Sequence, residues 1–169
     1  MDEFGNSLNE TLAFARSPKG HRAPAEKPTS PGKRISTIGA LMSKGLATSM
    51  CFEGTLNGYV FLYFVEFFLL QNLDESKVVI LDNASPHYNE EALDLIRSTG
   101  AKIIFLPPYR PELNPIEYCW AIIKNFIRKI KPRTVEDLYE TISKGLNLID
   151  SALAKSCFQH CFNLVFTQS

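Results

Sequence analysis

Apolar residues recur along this chain with two different periods. From Arg34, RISTIGALMSKG and LATSMCFEG are two strand-length runs separated by Lys44-Gly45, which predicts a β-hairpin. Asn57 stands before the apolar run that ends at Leu70, and a helix capped by Asn57 is expected there. KVVILD, ending in Asp82, and KIIFLP are continuous apolar strands. Between them Asn89-Glu90-Glu91 opens a helix with acids at its positive end, and Gly100 closes it. Such a βαβ unit predicts parallel strands covered on both faces. Asn114-Pro115 begins the next helix, with Asn as cap and Pro at the first position, and the pattern carries it to about Lys129. Val135, Leu138, Ile142, Leu146 and Ile149 share one face of a helix from Thr134, and residues 151–163 predict a short closing helix. The order describes an α/β mixed sheet flanked by helices, with antiparallel strands at its N-terminal side.

Composition narrows the class. A chain of 169 residues is long enough for one domain with a proper core and short for two. Eighteen basic and eighteen acidic residues cancel, so any attraction to nucleic acid must come from local clustering. One cluster is the proline-rich segment 16–34, where Arg16, Lys19, Arg22, Lys27, Lys33 and Arg34 face only Glu26. It reads equally as a solvated loop or as a basic arm touching phosphates. Cys51, Cys119, Cys157 and Cys161 lack a dense framework spacing, which suggests free thiols in a reducing compartment. The acidic start carries no secretory pattern, and Glu66 interrupts the longest apolar run, so a cytoplasmic protein without a membrane span is expected.

The candidate chemistry lies in carboxylates. Asp82 ends a buried parallel strand, the edge at which α/β sheets place their ligands. Glu117 falls in the first turn of a helix, where the dipole favours negative charge. Thirty-four residues separate them, and a βαβ connection can bring both to one sheet edge. Either residue alone is also an ordinary structural choice. Clustered carboxylates suit Mg²⁺ or Mn²⁺, hard cations that prefer oxygen, and a pair of such ions clamps a phosphodiester for in-line attack. Two acids are few for two ions.

VVILDNASPH at 78–87, followed by IIFLPPYRPELNPIEYCW at 103–120 and Lys124, resembles the DDE transposases of the mariner and bacterial insertion-sequence group. KRISTIGALMSKG and FEGTLNGYVFLYFVE resemble that group's hairpin and connecting helix, so the likeness spans roughly residues 1–130. It implies a ribonuclease H-like fold and metal-dependent cleavage and transfer of DNA strands in cut-and-paste transposition. Asp82 and Glu117 match the second and third acids of the motif, and Asp2, followed by Glu3, matches the first. Only Met1 precedes Asp2, where the group has an apolar strand, so a truncated first strand is expected. The implied metal ligands are Asp2, Asp82 and Glu117, the implied cofactor Mg²⁺ or Mn²⁺, with no small-molecule cofactor. The implied partners are DNA, as transposon ends and target, and a second copy in a full-length homodimer at the bacterial nucleoid. Residues 1–133 would form the catalytic domain, and residues 134–169 a helical extension packed on it. The alternative is an inactive transposase-derived remnant serving as an interaction or dimerisation module.

Other residues carry two readings each. His87 would sit near the metal site or cap a turn; Asn83 and Asn114 would serve turn and cap hydrogen bonds or lie beside the site. Trp120 is expected to pack its helix on the sheet. Lys124, Arg128, Lys129, Lys131 and Arg133 form a basic run that suits a solvated face or DNA. Cys157, His160 and Cys161 invite a zinc reading but lack a fourth ligand, so core-facing thiols are expected.

Overall fold

The computed structural model describes residues 1–8 and 33–166, so most of the basic segment 16–34 lies outside the described residues. Strands β1 (Asp2–Ser7), β2 (Arg34–Met42) and β3 (Gly45–Glu53) form an antiparallel sheet in the order β1-β2-β3. Asp2 opposes Gly39 and Ile38 opposes Met50. The hairpin turns at Lys44-Gly45 as expected, because Gly45 supplies a φ of 124° that a side chain would resist. Strands β4 (Val78–Leu81) and β5 (Lys102–Phe105) form a separate parallel pair. The two ladders meet where the Met1 ammonium donates to the Ile80 carbonyl at 2.8 Å. The expected mixed sheet is carried by two ladders, with β1 paired to β2 in the antiparallel one.

Five helices cover the strands: α1 (Gly58–Phe64), α2 (Glu90–Ser98), α3 (Pro115–Ile130), α4 (Val135–Leu146) and α5 (Ser151–Phe166). The Asn57 side chain caps α1 by accepting from Tyr59 and Val60 N–H at 3.0 Å each. The apolar run predicted as one helix to Leu70 widens into a π-helical stretch over Val65–Leu69 and a 3₁₀ turn over Leu70–Asn72. Asn89 and Thr134 cap α2 and α4. Two apolar clusters result, one on each face of the strands. Phe61, Phe64, Val65, Leu93 and Ile96 meet Ile38, Val79 and Leu81 on one side. On the other, Phe4 and Ile35 meet Trp120, Ile123, Leu138, Ile142 and Cys157, so α3, α4 and α5 share a core with β1 and β2.

Burial of the parallel pair on both faces is not what is found. Val78 is 48% and Ile104 52% exposed, while Val79 and Leu81 are buried. Helices α1 and α2 lie with the buried face, whereas Val78 and Ile104 keep about half of their surface exposed. No helix of the described residues is long and apolar enough to cross a membrane.

Candidate active site

Asp2 opens β1 on the same face as Phe4, and it is 4% exposed. Its Oδ1 accepts from the Glu3 N–H at 2.7 Å, whereas Oδ2 is buried without a hydrogen-bond donor. The Glu117 carboxyl is near enough for its charge to act on Asp2, so two acidic groups crowd one buried position. Burial, then the negative charges of Glu117 and Asp82, push the Asp2 carboxyl up to about 8. The Met1 ammonium beside it is driven the other way, down to about 6, by burial that its attraction to Asp2 and Asp82 only partly offsets. Glu3 is half-buried on the other face of β1, and desolvation raises its pKa as well.

Asp82 follows β4 directly, at the carboxyl edge of the parallel pair. Its Oδ1 accepts from the Ala84 N–H at 3.1 Å and meets His87 Nδ1 at 2.6 Å. Partial burial works to raise its pKa, but the hydrogen bonds from His87 and Ala84 and nearby positive charge outweigh it and hold the carboxyl below its ordinary range. An ionised carboxylate only accepts, so Nδ1 carries the proton of the His87 ring. The ring is fully buried against Phe61, with centroids 4.9 Å apart, and its Nε2 has no partner. His87 is thus buried beside Asp82 and is not a surface cap.

Glu117 sits at the start of α3, on which Trp120 anchors the helix. The indole packs on Phe4 at 4.7 Å and lies over Gly39, where a Cβ would come within 2.9 Å of the ring. The Asn114 side chain departs from expectation. It makes no cap hydrogen bond and instead donates through Nδ2 to the Met1 carbonyl at 3.4 Å, across 113 residues of chain. Proline at the first helical position already removes one of the N–H groups that a cap would satisfy. Asn114 is free to tie the start of α3 to the start of β1, and so Glu117 to Asp2. Asn83 ties the two parallel strands, donating to the Leu106 carbonyl and accepting from the Tyr88 hydroxyl.

The three acids therefore share one electrostatic neighbourhood, though no three acidic, histidine or cysteine side chains among the described residues stand in a coordinating cluster. Lys124 lies apart from them, two turns along α3, with its ammonium 5.9 Å from the Phe4 ring centroid. Arg128 and Lys129 complement the C-terminal end of α3, where Lys131 adopts a left-handed φ of 56°. Cys157 and Cys161 face the core, and Cys119 and Cys157 approach to 3.7 Å as free thiols, while His160 packs outside on Tyr118. Two features had no assigned role in the sequence. They are the buried Met1 ammonium and the fully exposed Tyr109, which the prolines on either side of it could have flagged.

The sequence model of the DDE superfamily endonucleases matches residues 1–139. The chain belongs to this family. Its fold is ribonuclease H-like, and solved structures of Mos1 mariner transposase superpose on it. A Mos1 paired-end complex with the left transposon end aligns at a TM-score of 0.76 and 14% identity, over 95% of this chain and 50% of that one. A Mos1 paired-end complex with Mn gives a TM-score of 0.73 at 14% identity, over 95% and 51%. The isolated Mos1 catalytic domain gives 0.64 at 11% identity, over 94% and 76%. The chain spans about half the length of the transposase in the first two. No curated protein sequence matches it significantly.

Proposed function

We propose that the chain is the catalytic domain of a cut-and-paste DNA transposase, with Asp2, Asp82 and Glu117 holding divalent cations against a phosphodiester. The observation that carries this reading is the buried Asp2 carboxyl, whose Oδ2 has no donor and which burial and the charges of Glu117 and Asp82 raise to about 8. A buried acid facing a second acid calls for a proton or a cation. Oxygen donors alone suit Mg²⁺ or Mn²⁺, so the residues present fit the ions that the family uses. Bound there, such ions would activate a water or 3′-hydroxyl and neutralise the leaving oxygen.

The chain's own side chains divide the remaining work. His87 fixes the rotamer of Asp82 through Oδ1 and helps keep the carboxylate ionised. Asn114 sets the distance between β1 and α3. Glu3, half-buried on the other face of β1, has its pKa raised chiefly by desolvation. Lys124 and the basic run of α3 lie on the helix that carries Glu117, within reach of a phosphate backbone that follows it. The partners are then transposon ends and target DNA, with a homodimer in the full-length protein at the bacterial nucleoid. Residues 1–133 form the catalytic unit, and residues 134–169 the helical extension that completes its core. The remnant alternative gains nothing from the two clusters of buried side chains on either side of the strands.

The test is metal-dependent nicking of transposon-end DNA by the full-length protein. Asp82→Ala and Glu117→Ala should each abolish it while folding is retained. Undiminished nicking by either variant would sink the assignment.

A further inference from the structure

We propose that the cleft beside Asp82 is a nucleobase subsite, in which Tyr109 stacks on one unpaired base of the DNA strand whose phosphodiester the acids engage. This rests on the nuclease reading above and adds a ligand contact to it. The cleft encloses about 410 Å³ between residues 82–84 on one wall and 106–111 on the other. That size falls within the roughly 300–1,000 Å³ of ligand sites. One wall begins with Asp82 itself, so an occupant lies directly beside the proposed site of chemistry.

Tyr109 is 99% exposed and sits at a φ of 58°. A bulky residue in the left-handed region is strained, and this one recovers nothing by burial, because its ring touches almost no protein. Folding alone gives no reason for an aromatic ring there. The loop holding it is stiff nonetheless. Pro107, Pro108 and Pro111 fix the backbone around it, and Arg110 pairs with Glu112. The Glu112 carbonyl accepts from the Tyr118 hydroxyl at 3.0 Å and from the Cys161 thiol at 3.4 Å, which ties the loop to α3 and α5. The Leu106 carbonyl is held by Asn83. A rigid loop thus presents one aromatic face to solvent at the mouth of a cleft that ends in Asp82.

Bases offer a π-face whatever their identity, and aromatic platforms bind them by stacking. The polar wall offers little base-edge reading, since the Asn83 amide is engaged at both ends. The subsite should therefore accept any base that is unpaired and leave paired bases alone.

The probe is a duplex bearing a four-nucleotide single-stranded flank with 2-aminopurine at its first unpaired position, held with the protein in Ca²⁺ to prevent cleavage. Blunt duplex serves for comparison. Binding of the wild type should quench the 2-aminopurine. Tyr109→Ala should abolish the quench and weaken binding of the flanked duplex about tenfold, leaving blunt duplex unchanged. Tyr109→Phe, which keeps the ring, should behave as wild type. Equal binding of the flanked duplex by wild type and Tyr109→Ala, or an equal loss on both duplexes, would overturn the subsite while leaving the nuclease reading intact. If the wild type binds neither duplex, the DNA reading fails and takes the subsite with it.

Discussion

The chemistry is concentrated in carboxylates whose surroundings push them apart. Asp2 is raised and Asp82 lowered, and the two shifts act on stability in different pH windows. A carboxyl raised to about 8 when folded binds its proton more tightly than the unfolded chain does. That contribution is full below the ordinary carboxylate range and is lost as pH rises towards 8. The Met1 amine, lowered to about 6, works in the opposite sense, and the metal-free protein gains stability from it as pH rises from about 6 to 8. The net expectation is a thermal midpoint that falls between about pH 4 and 6 and flattens above, with the fall much reduced in Asp2→Asn, where the raised Glu3 alone sustains it. A midpoint that rises over this range would contradict the assignment. Divalent cation and proton compete for the same carboxylate, so Mn²⁺ should raise the midpoint more at about pH 8 than at about pH 5. This reads binding without any turnover. His87 is tested separately. His87→Phe keeps the volume beside Phe61 but loses the bond to Asp82, which should cost about 1.5–3 kcal/mol of stability. Metal-dependent nicking should fall roughly 10–100-fold, as when a partner behind a ligand is removed. Unchanged nicking would make the histidine merely structural.

At the scale of elements, the positions of strands and helices were legible where a local rule governs them. The Lys44-Gly45 turn, the caps at Asn57, Asn89 and Thr134, and the helix start at Pro115 each follow from one or two side chains acting on their own backbone. What was not legible depends on tertiary contacts. Asn114 was expected to cap α3 but reaches Met1, because the residue it bonds is 113 positions away and no periodicity encodes that. The widening of the helix after Phe64 is set by packing of Phe64 and Val65 into the core, and Val78 and Ile104 look buried in sequence yet stand exposed. In the site, the strand-end position of Asp82 and the helix-start position of Glu117 were readable. The burial of Asp2 and the His87 contact required coordinates. One element-scale contact holds α3 in place, and it is testable at Gly39. A Cβ there would meet Trp120 at 2.9 Å, so Gly39→Val should force the indole outward. Overpacking of this kind costs typically about 1–3 kcal/mol. Chemical denaturation should show the loss with a reduced shift in Trp120 fluorescence on unfolding, and a variant as stable as the wild type would show that α3 is held by other contacts.

On the scale of the whole molecule, the two ladders stop short of forming one sheet. Residues Ala40, Leu41 and Met42 of β2 pair with β3 on one side and have no partner on the side of β1. Among the described residues strand β4 pairs with β5, and on its other edge the Ile80 carbonyl accepts from the Met1 ammonium. Between these edges lies a narrow slot of about 100 Å³, lined in part by Met1, Leu41, Met42, Val79, Ile80 and Phe158. A strand continuing β1 towards smaller numbers would run antiparallel to β2 and lie beside the free edge of β4. It would also turn the Met1 ammonium into an amide. The hydrogen bond to Ile80 survives that change, while the burial that lowers the ammonium to about 6 no longer opposes folding. An engineered extension of four alternating Val and Ile residues before Met1 should therefore raise the thermal midpoint. A gain of about 1–2 kcal/mol corresponds to several degrees in a chain of this size, at roughly 2–4 °C per kcal/mol. A Gly-Ser extension of equal length supplies the amide without the apolar side chains and should recover only part of the gain. If both extensions shift the midpoint equally, the slot does not seat a strand, and the two ladders are held together by the helices alone.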